Sequence, residues 1–510
     1  MKRLVLALVS LSVFPLFSQG VVKYEDHGAV GDGKTNDFAA IVKAHQHANS
    51  LGLPVEATSG KTYYIGQGNE TAIIQTDVDF KDAVFVIDDS EIDVNSRGRW
   101  IFSIRASKPD YKVPELKTLK RNQENIGLTF ETPVLLTVTN SKVKRYIRYG
   151  ANQNKGSAQT DIILVDQKGN VDMKAPIIWD FDEITDTVAS PLDEKMLTVR
   201  GGVFKTIANK VESKYTYYAR GIQIMRSNVT ITGLRHEVSG EGDHGAPYSG
   251  FLNVVRCANV TIQDTVLTGH KTYGTIGSAG RPVSMGTYDF GANRAINITL
   301  KNCRQTNDIT NRKYWGIMGS NYCKNLTYDG CELSRFDAHM GVANATIKNS
   351  KLGHQGINAI GTGTFLLENS TVYGGAMINL RGDYGSTWEG EFIIRNCTFV
   401  PAAGAKTTGN IIGGSYSGKH DFGYPCFMPE TIVVENVTID DSNHPDNYQG
   451  PAIFSNFNRA NKDAGYVEDF PYAVTKQVLL KNVKTKSGKP IRLSDNPWMF
   501  RNVKVVTQND

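Results

Sequence analysis

Short β-branched segments recur through the second half of the chain and constrain its fold more than any other feature. Examples are NVTIQDT, NITLKNC, NATIKNS, EFIIRNC and QVLLKNV, each of which ends in a polar bend. The bend positions are Asp264, Asn302, Gly330, Asn349, Asn369, Asn396, Asn436 and Asn482. The shortest spacings, 19 residues from Gly330 to Asn349 and 20 from Asn349 to Asn369, match one coil of a β-solenoid. The longer spacings indicate inserted loops.

Apolar and polar residues alternate with period two in these segments, which excludes stacked helical repeats. A single coil cannot bury its inward face, whereas stacked parallel strands bury theirs against the coils above and below. Asparagine suits the bends because it tolerates a left-handed backbone and bonds its own turn. The sequence therefore predicts an all-β right-handed parallel β-helix, and the recurring Asn-X-Thr/Ser triplets are read as bends rather than as glycosylation acceptors.

The first twenty residues, MKRLVLALVSLSVFPLFSQG, place two basic residues ahead of a short apolar run. This pattern predicts a signal peptide over residues 1–20. No later stretch approaches the roughly 20 apolar residues of a membrane helix, so we expect no membrane association after the signal is removed. We predict a secreted or periplasmic protein of bacterial origin, with residues 21–510 forming a single β-helix domain.

The segment YEDHGAVGDGKTNDFAAIVKAHQHAN follows the predicted signal peptide. Asp37 is a suitable N-cap for a helix over about residues 38–48, which would cover the open end of the solenoid. The segment resembles the opening of pectate-lyase-superfamily β-helix proteins, in which such a turn leads into a capping helix. Between about residues 70 and 206 the repeat weakens, and we expect irregular early coils with inserted strands there, or a small separate β subdomain.

Charge and cysteine content narrow the range of partners. The net charge of +5 is modest, but it favours an anionic glycan if it is gathered in a groove. No Lys/Arg-rich run carries interleaved aromatics, so nucleic acid is not expected as a partner. The six cysteines are predicted to be buried as small apolar residues. We predict a monomer or small homo-oligomer with no cofactor; calcium stays an unsupported alternative, and HEVSGEGDH, the one run suggestive of a metal, reads better as a solvated loop.

Residues at equivalent positions of successive coils stack in columns about 4.8 Å apart. Polar residues that follow the bends are therefore predicted to form one cluster in a carbohydrate-binding groove. Its members are His270, Lys271, Asp308, Arg335, Asp337, His339, His354, Gln355, Tyr373 and Arg381, with Asn358 and Asn379 on the next strands. Trp315 is predicted to stack on a sugar ring.

Three segments in this region, TNDITNRKYWGI, CELSRFDAHMGV and KLGHQGINAIG, resemble the active-site core of polygalacturonase-type glycoside hydrolases of family 28. The resemblance covers only residues 306–361. It implies that Asp308 and Asp337 are the catalytic carboxylates and that His354 is the supporting histidine. In such an enzyme one carboxylic acid protonates the leaving oxygen, while the other carboxylate activates water.

Two other functions remain open. In the first, a uronic acid is cleaved by β-elimination, with a cation such as Lys271, Arg335 or Arg381 against the carboxylate and His339 or His354 as base. In the second, the β-helix binds a glycan without cleaving it. Ion pairs that occupy Asp308 and Asp337 would favour this function. We place a secreted, polysaccharide-degrading hydrolase ahead of the lyase and of the binding protein.

Overall fold

The structure is a computed structural model that describes residues 20–401 and 409–508. The predicted signal peptide therefore lies, except for Gly20, outside the described residues. Within these ranges no helix is long and apolar enough to cross a membrane.

Strands with alternating burial pair in register with the strands of the next coil and form three parallel ladders. The first ladder contains Val22–Lys23, Val55–Glu56, Val78–Asp79, Leu197–Arg200, Val229–Thr232, Ala258–Gln263, Ile296–Lys301, Lys324–Asp329, Val342–Lys348, Gly361–Glu368, Trp388–Pro401, Thr431–Ile439, Gln477–Thr485 and Lys504–Gln508. These strands confirm the predicted all-β, right-handed parallel β-helix.

The second and third ladders follow the first around each coil. The second contains Asp32–Asn36, Thr62–Ile65, Val84–Asp88, Val203–Ile207, Arg235–Ser239, Val266–Leu267, Arg304–Gln305, Glu332–Met340, Lys351–Ala359, Thr371–Gly374 and the later halves of three long first-ladder strands. The third contains Ala72–Ile74, Phe102–Arg105, Ile222–Met225, Leu252–Val255, Phe290–Asn293, Met318–Asn321, Ala376–Leu380, Asn410–Gly413, Ala452–Phe454 and Arg492–Ser494. Glu332–Met340 and Lys351–Ala359 run from the second ladder into the third.

The bends between strands behave as the sequence predicts. All eight aligned bend positions have a positive φ, between 47° and 68°. A separate row of asparagines joins neighbouring coils: Asn259 Nδ2 donates to Asn228 Oδ1 at 2.9 Å, and Asn297 Nδ2 donates to Asn259 Oδ1 at 2.9 Å. Stacked amides thus satisfy one another, which explains why asparagine recurs at this position.

The solenoid interior is a continuous apolar core built from the inward residues of the three ladders. All six cysteines are buried and none forms a disulfide, which confirms their predicted role as small apolar residues.

The single α-helix in the described residues, Phe38–Leu51, packs against the first strand of the third ladder and covers one end of the core, as predicted. Asp37 precedes it, but the predicted cap bond is absent. The Asp37 carboxylate instead accepts hydrogen bonds from the backbone amides of Val30 and Gly31, at 2.7 and 3.1 Å. The aspartate therefore fastens the preceding loop rather than the helix. Short 3-10 helices span Glu25–His27, Val94–Ser96 and Gly382–Tyr384.

Residues 106–196 leave the solenoid and form an insertion. Its antiparallel sheet has Val134–Arg145 between Ser157–Val165 and Asp186–Pro191, and it encloses an apolar cluster of its own. A buried ion pair, Lys324 Nζ to Asp161 Oδ1 at 2.8 Å, links the insertion to the first ladder. Two small sheets pair Tyr273–Ile276 with Pro282–Met285 and Cys426–Phe427 with Tyr472–Ala473.

Candidate functional site

A pocket of about 340 Å³ opens where successive coils turn from the second ladder into the third. Small residues make room for it. A Cβ atom on Gly413 would lie 2.7 Å from the Ala376 Cβ and 3.1 Å from Asn379 Oδ1, so a side chain at this position would crowd the pocket. The pocket is lined by His354, Gln355, Gly356, Ile357, Asn358, Gly374, Gly375, Ala376, Asn379, Asn410, Gly413, Gly414 and Ser455. We call it the amide pocket.

Neutral amides from neighbouring coils make up most of the polar side chains that line the amide pocket. Asn358 and Asn379 are register partners, and Asn379 Nδ2 donates to Asn358 Oδ1 at 2.8 Å. The Asn410 Oδ1 atom, on the next coil, is buried and has no hydrogen-bond partner in the described part of the chain. Among the described residues that line the pocket, none carries a carboxylate, ammonium or guanidinium group. The lining therefore offers hydrogen bonds to hydroxyl groups but no ionic ligands for a metal ion.

His354 is the one titratable residue in this lining. Its backbone amide and its Nδ1 atom both face the Ile309 carbonyl oxygen, at 2.9 and 3.0 Å. A carbonyl only accepts, so Nδ1 carries the proton and Nε2 keeps its lone pair. Nε2 is buried and has no hydrogen-bond partner among the described residues. Burial lowers the pKa of His354 and, with Arg312 and Arg335, outweighs the backbone groups of Ile309 and Tyr314, which raise it, so the imidazole is neutral at pH 7.

Asp308 lies one residue before the carbonyl that holds His354. It is exposed, and its Oδ1 atom accepts hydrogen bonds from the amide and the hydroxyl of Thr310, each at 2.8 Å. The Thr310 amide lowers the pKa of Asp308 below its usual value. At neutral pH this carboxylate is ionised, so it is a base rather than a proton donor.

Asp337 is the register partner of Asn358, which lines the amide pocket, but its carboxylate is fully buried in a cluster of charges. Its Oδ2 atom accepts from Arg335 Nη2 at 2.6 Å, from Arg381 Nη1 at 3.1 Å and from the Tyr288 hydroxyl at 3.1 Å. Burial alone would raise the pKa of Asp337, but the two guanidinium groups outweigh it and the pKa lies below its usual value. A carboxyl group in this state is not a general acid.

The insertion and an aromatic layer cover this charge cluster. Arg381 also pairs with Asp383 at 2.7 Å, and Asp383 pairs with Arg148 of the insertion at 2.8 Å. The Arg335 guanidinium lies 5.6 Å from the centre of the Trp315 ring. The predicted ligands Arg335, Arg381 and Trp315 are therefore engaged with protein groups.

His270 belongs to a third group of residues. Its Nε2 faces Asp289 Oδ1 and its Nδ1 faces Glu241 Oε1, both at 3.2 Å, while His236 Nδ1 faces Asp289 Oδ1 at 2.8 Å. His236, His270 and Asp289 offer metal-binding atoms within 4.8 Å of one another. These atoms already satisfy one another, so the group is complete as a network of hydrogen bonds and ion pairs.

The charge of His270 makes a pH dependence testable. Burial by itself lowers its pKa, but hydrogen bonds to Asp289 and Glu241 outweigh burial and raise the pKa to about 9. A pKa that is higher in the folded than in the unfolded protein stabilises the fold. This stabilisation is fully present below the pKa of the unfolded state, about 6.5, and is lost as the pH rises through the pKa of the folded state. We therefore expect the free energy of unfolding, measured by urea titration, to fall between about pH 6.5 and pH 9. A His270→Gln variant that keeps the same slope would contradict this assignment.

The residues predicted from the sequence thus fall into separate groups. His354 and Gln355 line the amide pocket, with Asp308 beside it. Arg335, Asp337, His339, Trp315 and Arg381 lie in or beside the covered charge cluster, where burial lowers the pKa of His339 to about 3 and its Nδ1 faces Asn321 Oδ1 at 2.8 Å. His270 and Lys271 lie at the histidine network, where Lys271 Nζ donates to the Glu241 carbonyl at 2.7 Å. Tyr373 is half-buried on the second ladder, next to Gly374 of the pocket.

Some site residues were missed by sequence reasoning. Asn410 and Ser455 line the amide pocket, but their coils contain long inserted loops that hide the repeat. Asp289 forms hydrogen bonds with two histidines. It was missed because it precedes the third-ladder strand Phe290–Asn293, which carries no recognisable bend signal in the sequence. The suspected metal run does contribute His236 and Glu241 to that network, so His236 is buried, whereas His244 at the other end of the run is exposed as predicted.

Comparison with known proteins shows the fold and one local sequence similarity. No protein-family model matches the chain. The tailspike gp61 of Pseudomonas phage phi297 matches with a TM-score of 0.52 and 14% identity, over 91% of this chain and 80% of that one. The gp54 tailspike of Acinetobacter baumannii bacteriophage AP22, solved with an A. baumannii capsular saccharide, matches with a TM-score of 0.49 and 11% identity, over 91% and 76%.

A sequence relative adds a shorter match. A capsule KL64-specific depolymerase of a Klebsiella phage is 37% identical over an alignment of 105 residues, which covers 18% of this chain. The match spans only 10% of the depolymerase. The phi297 tailspike shows that the fold of this chain is similar to that of a phage tailspike.

Proposed function

We propose that this protein is a polysaccharide depolymerase that binds its substrate at the amide pocket and cleaves it by β-elimination. The observation that carries the proposal is the unpartnered Nε2 lone pair of a neutral His354 at the wall of a pocket lined by amides. The local similarity to a capsule depolymerase supports a polysaccharide substrate. The predicted signal peptide supports export to the periplasm or the cell exterior, where such substrates occur.

Elimination fits the charges better than the hydrolysis inferred from the sequence. Hydrolysis by paired carboxylates needs one of them to hold a proton at working pH. The pKa values of Asp308 and Asp337 are both lowered, so neither carboxyl supplies that proton. Elimination needs a base, and a neutral histidine with a fixed tautomer is a suitable one.

The proposed reaction involves a uronic acid residue. His354 Nε2 removes the proton at C5, the electron pair forms a double bond between C4 and C5, and the C4–O glycosidic bond breaks. The leaving oxygen takes a proton from solvent. A cation facing the uronate carboxylate makes the C5 proton more acidic; we assign this role to exposed Arg312, which lies outside the pocket lining but whose charge acts on His354. Because Nε2 is buried, the substrate must displace the atoms that cover it.

A glycan screen tests the proposal. The panel contains Klebsiella KL64 capsular polysaccharide, polygalacturonate, alginate, hyaluronan and neutral glucans, and each digest is assayed for new reducing ends and for ultraviolet-absorbing unsaturated products. We expect both signals on at least one uronate-containing glycan. Reducing ends without unsaturation would support hydrolysis. Binding without either product would support a non-catalytic glycan-binding β-helix.

A further inference from the structure

A second pocket, of about 140 Å³, lies where the insertion meets the solenoid. Trp179 and Tyr146 come from the insertion, whereas Tyr424 and Phe427 come from the segment after the third-ladder strand Asn410–Gly413, in which Phe427 belongs to the short strand Cys426–Phe427. The pocket requires a glycine at position 341, because a Cβ atom there would lie 2.1 Å from the Tyr146 hydroxyl oxygen and would displace the tyrosine. We call it the aromatic pocket.

The aromatic walls are held in fixed positions. The Arg145 guanidinium lies 4.7 Å from the centre of the Trp179 ring, and the Tyr424 hydroxyl donates to the Tyr384 carbonyl at 2.8 Å. The centres of the Tyr146 and Tyr424 rings are 5.0 Å apart. Such preorganised rings lose little conformational entropy when a ligand binds.

Charged groups complete the lining. Arg121 of the insertion and Glu389 of the first ladder form an ion pair at 2.9 Å, and the side chain of each is 42% exposed. An apolar ring surface beside exposed donors and acceptors matches a sugar, whose C–H face stacks on aromatics while its hydroxyls form hydrogen bonds.

The position of this pocket relates it to the amide pocket. Asn358 lines the amide pocket and Gly361 lines the aromatic pocket, three residues further along the same coil. At about 3.3 Å per extended residue, these two residues are at most on the order of 10 Å apart. This distance is within the reach of one short oligosaccharide.

We infer that the aromatic pocket is a second saccharide-binding subsite, which holds one sugar residue of the polysaccharide whose cleavage takes place at the amide pocket. The inference rests on the proposed function for the identity of the polymer. The sugar stacks on Trp179 and bonds to Arg121 and Glu389, so the insertion contributes to substrate binding.

Fluorine NMR of the full chain tests this inference. The chain contains five tryptophans, which 5-fluorotryptophan labels, and a Trp179→Phe variant assigns the resonance of Trp179. We expect oligosaccharides from the same glycan panel to shift the Trp179 resonance saturably. The Trp498 resonance is a matched control, because this half-buried ring also lies beneath an arginine, with Arg501 at 4.1 Å, and we expect it not to move. In kinetics, Trp179→Ala should raise KM by about tenfold with little change in kcat.

The outcomes separate the two proposals. A panel glycan that is cleaved while the Trp179 resonance stays in place overturns the subsite and leaves the proposed function standing. A Trp179 shift with no cleavage supports the subsite and counts against catalysis. No Trp179 shift with any panel glycan overturns the subsite.

Discussion

Replacing His354 with glutamine is expected to lower kcat/KM for the uronate-containing glycan by about 10² to 10⁴-fold, the usual contribution of a general base. Glutamine has a similar reach, so the hydrogen bond to the Ile309 carbonyl can persist while the lone pair of Nε2 is lost. Initial rates of formation of unsaturated product measure the effect.

His420→Gln is the matched control for this variant. His420 is also half-buried and also faces a backbone carbonyl through one ring nitrogen, with Nε2 at 3.1 Å from the Ile147 oxygen, but it does not line the amide pocket. We expect wild-type rates from it.

The Asp308→Asn variant distinguishes elimination from hydrolysis, because it removes the carboxylate but keeps the Oδ1 acceptor of the Thr310 turn. Elimination predicts that this variant stays active, whereas a hydrolase built on Asp308 would lose activity.

Replacing Asp337 with asparagine is expected to lower the free energy of unfolding by about 3–5 kcal/mol, as for other buried pairs that lose one partner. The carboxylate is fully buried, and its loss leaves the guanidinium groups of Arg335 and Arg381 without their shared counter-ion. Urea unfolding followed by circular dichroism measures the change.

Two further variants make this prediction specific. Asp329→Asn removes a partly exposed carboxylate paired with Lys348, and we expect a change of less than about 1 kcal/mol. Adding Arg335→Met to Asp337→Asn removes one of the stranded charges, so part of the lost stability should return. An Asp337→Asn protein with wild-type stability and no activity would instead support the catalytic role inferred from the sequence.

The fold was predictable because its signal is local. A left-handed bend selects Asn, Asp or Gly, so positions such as Asn302 and Asn349 mark the coils in the sequence itself. The capping helix was predictable for the same reason, although the bonding of Asp37 was not, because its carboxylate serves a loop six and seven residues earlier.

The candidate site was only partly predictable, because burial of its residues depends on distant parts of the chain. Stacking of coils correctly brought Asn358 and Asn379, from successive coils, to one pocket. It did not show that Asp337 would be covered, since the cover includes Arg148, which bonds Asp383 from 235 residues away. No periodic pattern in the sequence indicates where an insertion folds back onto the solenoid.

The central claim is that a polysaccharide bound at the amide pocket is cleaved by elimination. The most direct test is mass spectrometry of the oligosaccharides that the wild-type protein releases in water enriched in heavy oxygen. Elimination predicts products with one unsaturated terminal residue, lighter by one water than a hydrolysis product and free of the heavy label. Saturated products that carry the heavy oxygen at the new reducing end would contradict the account.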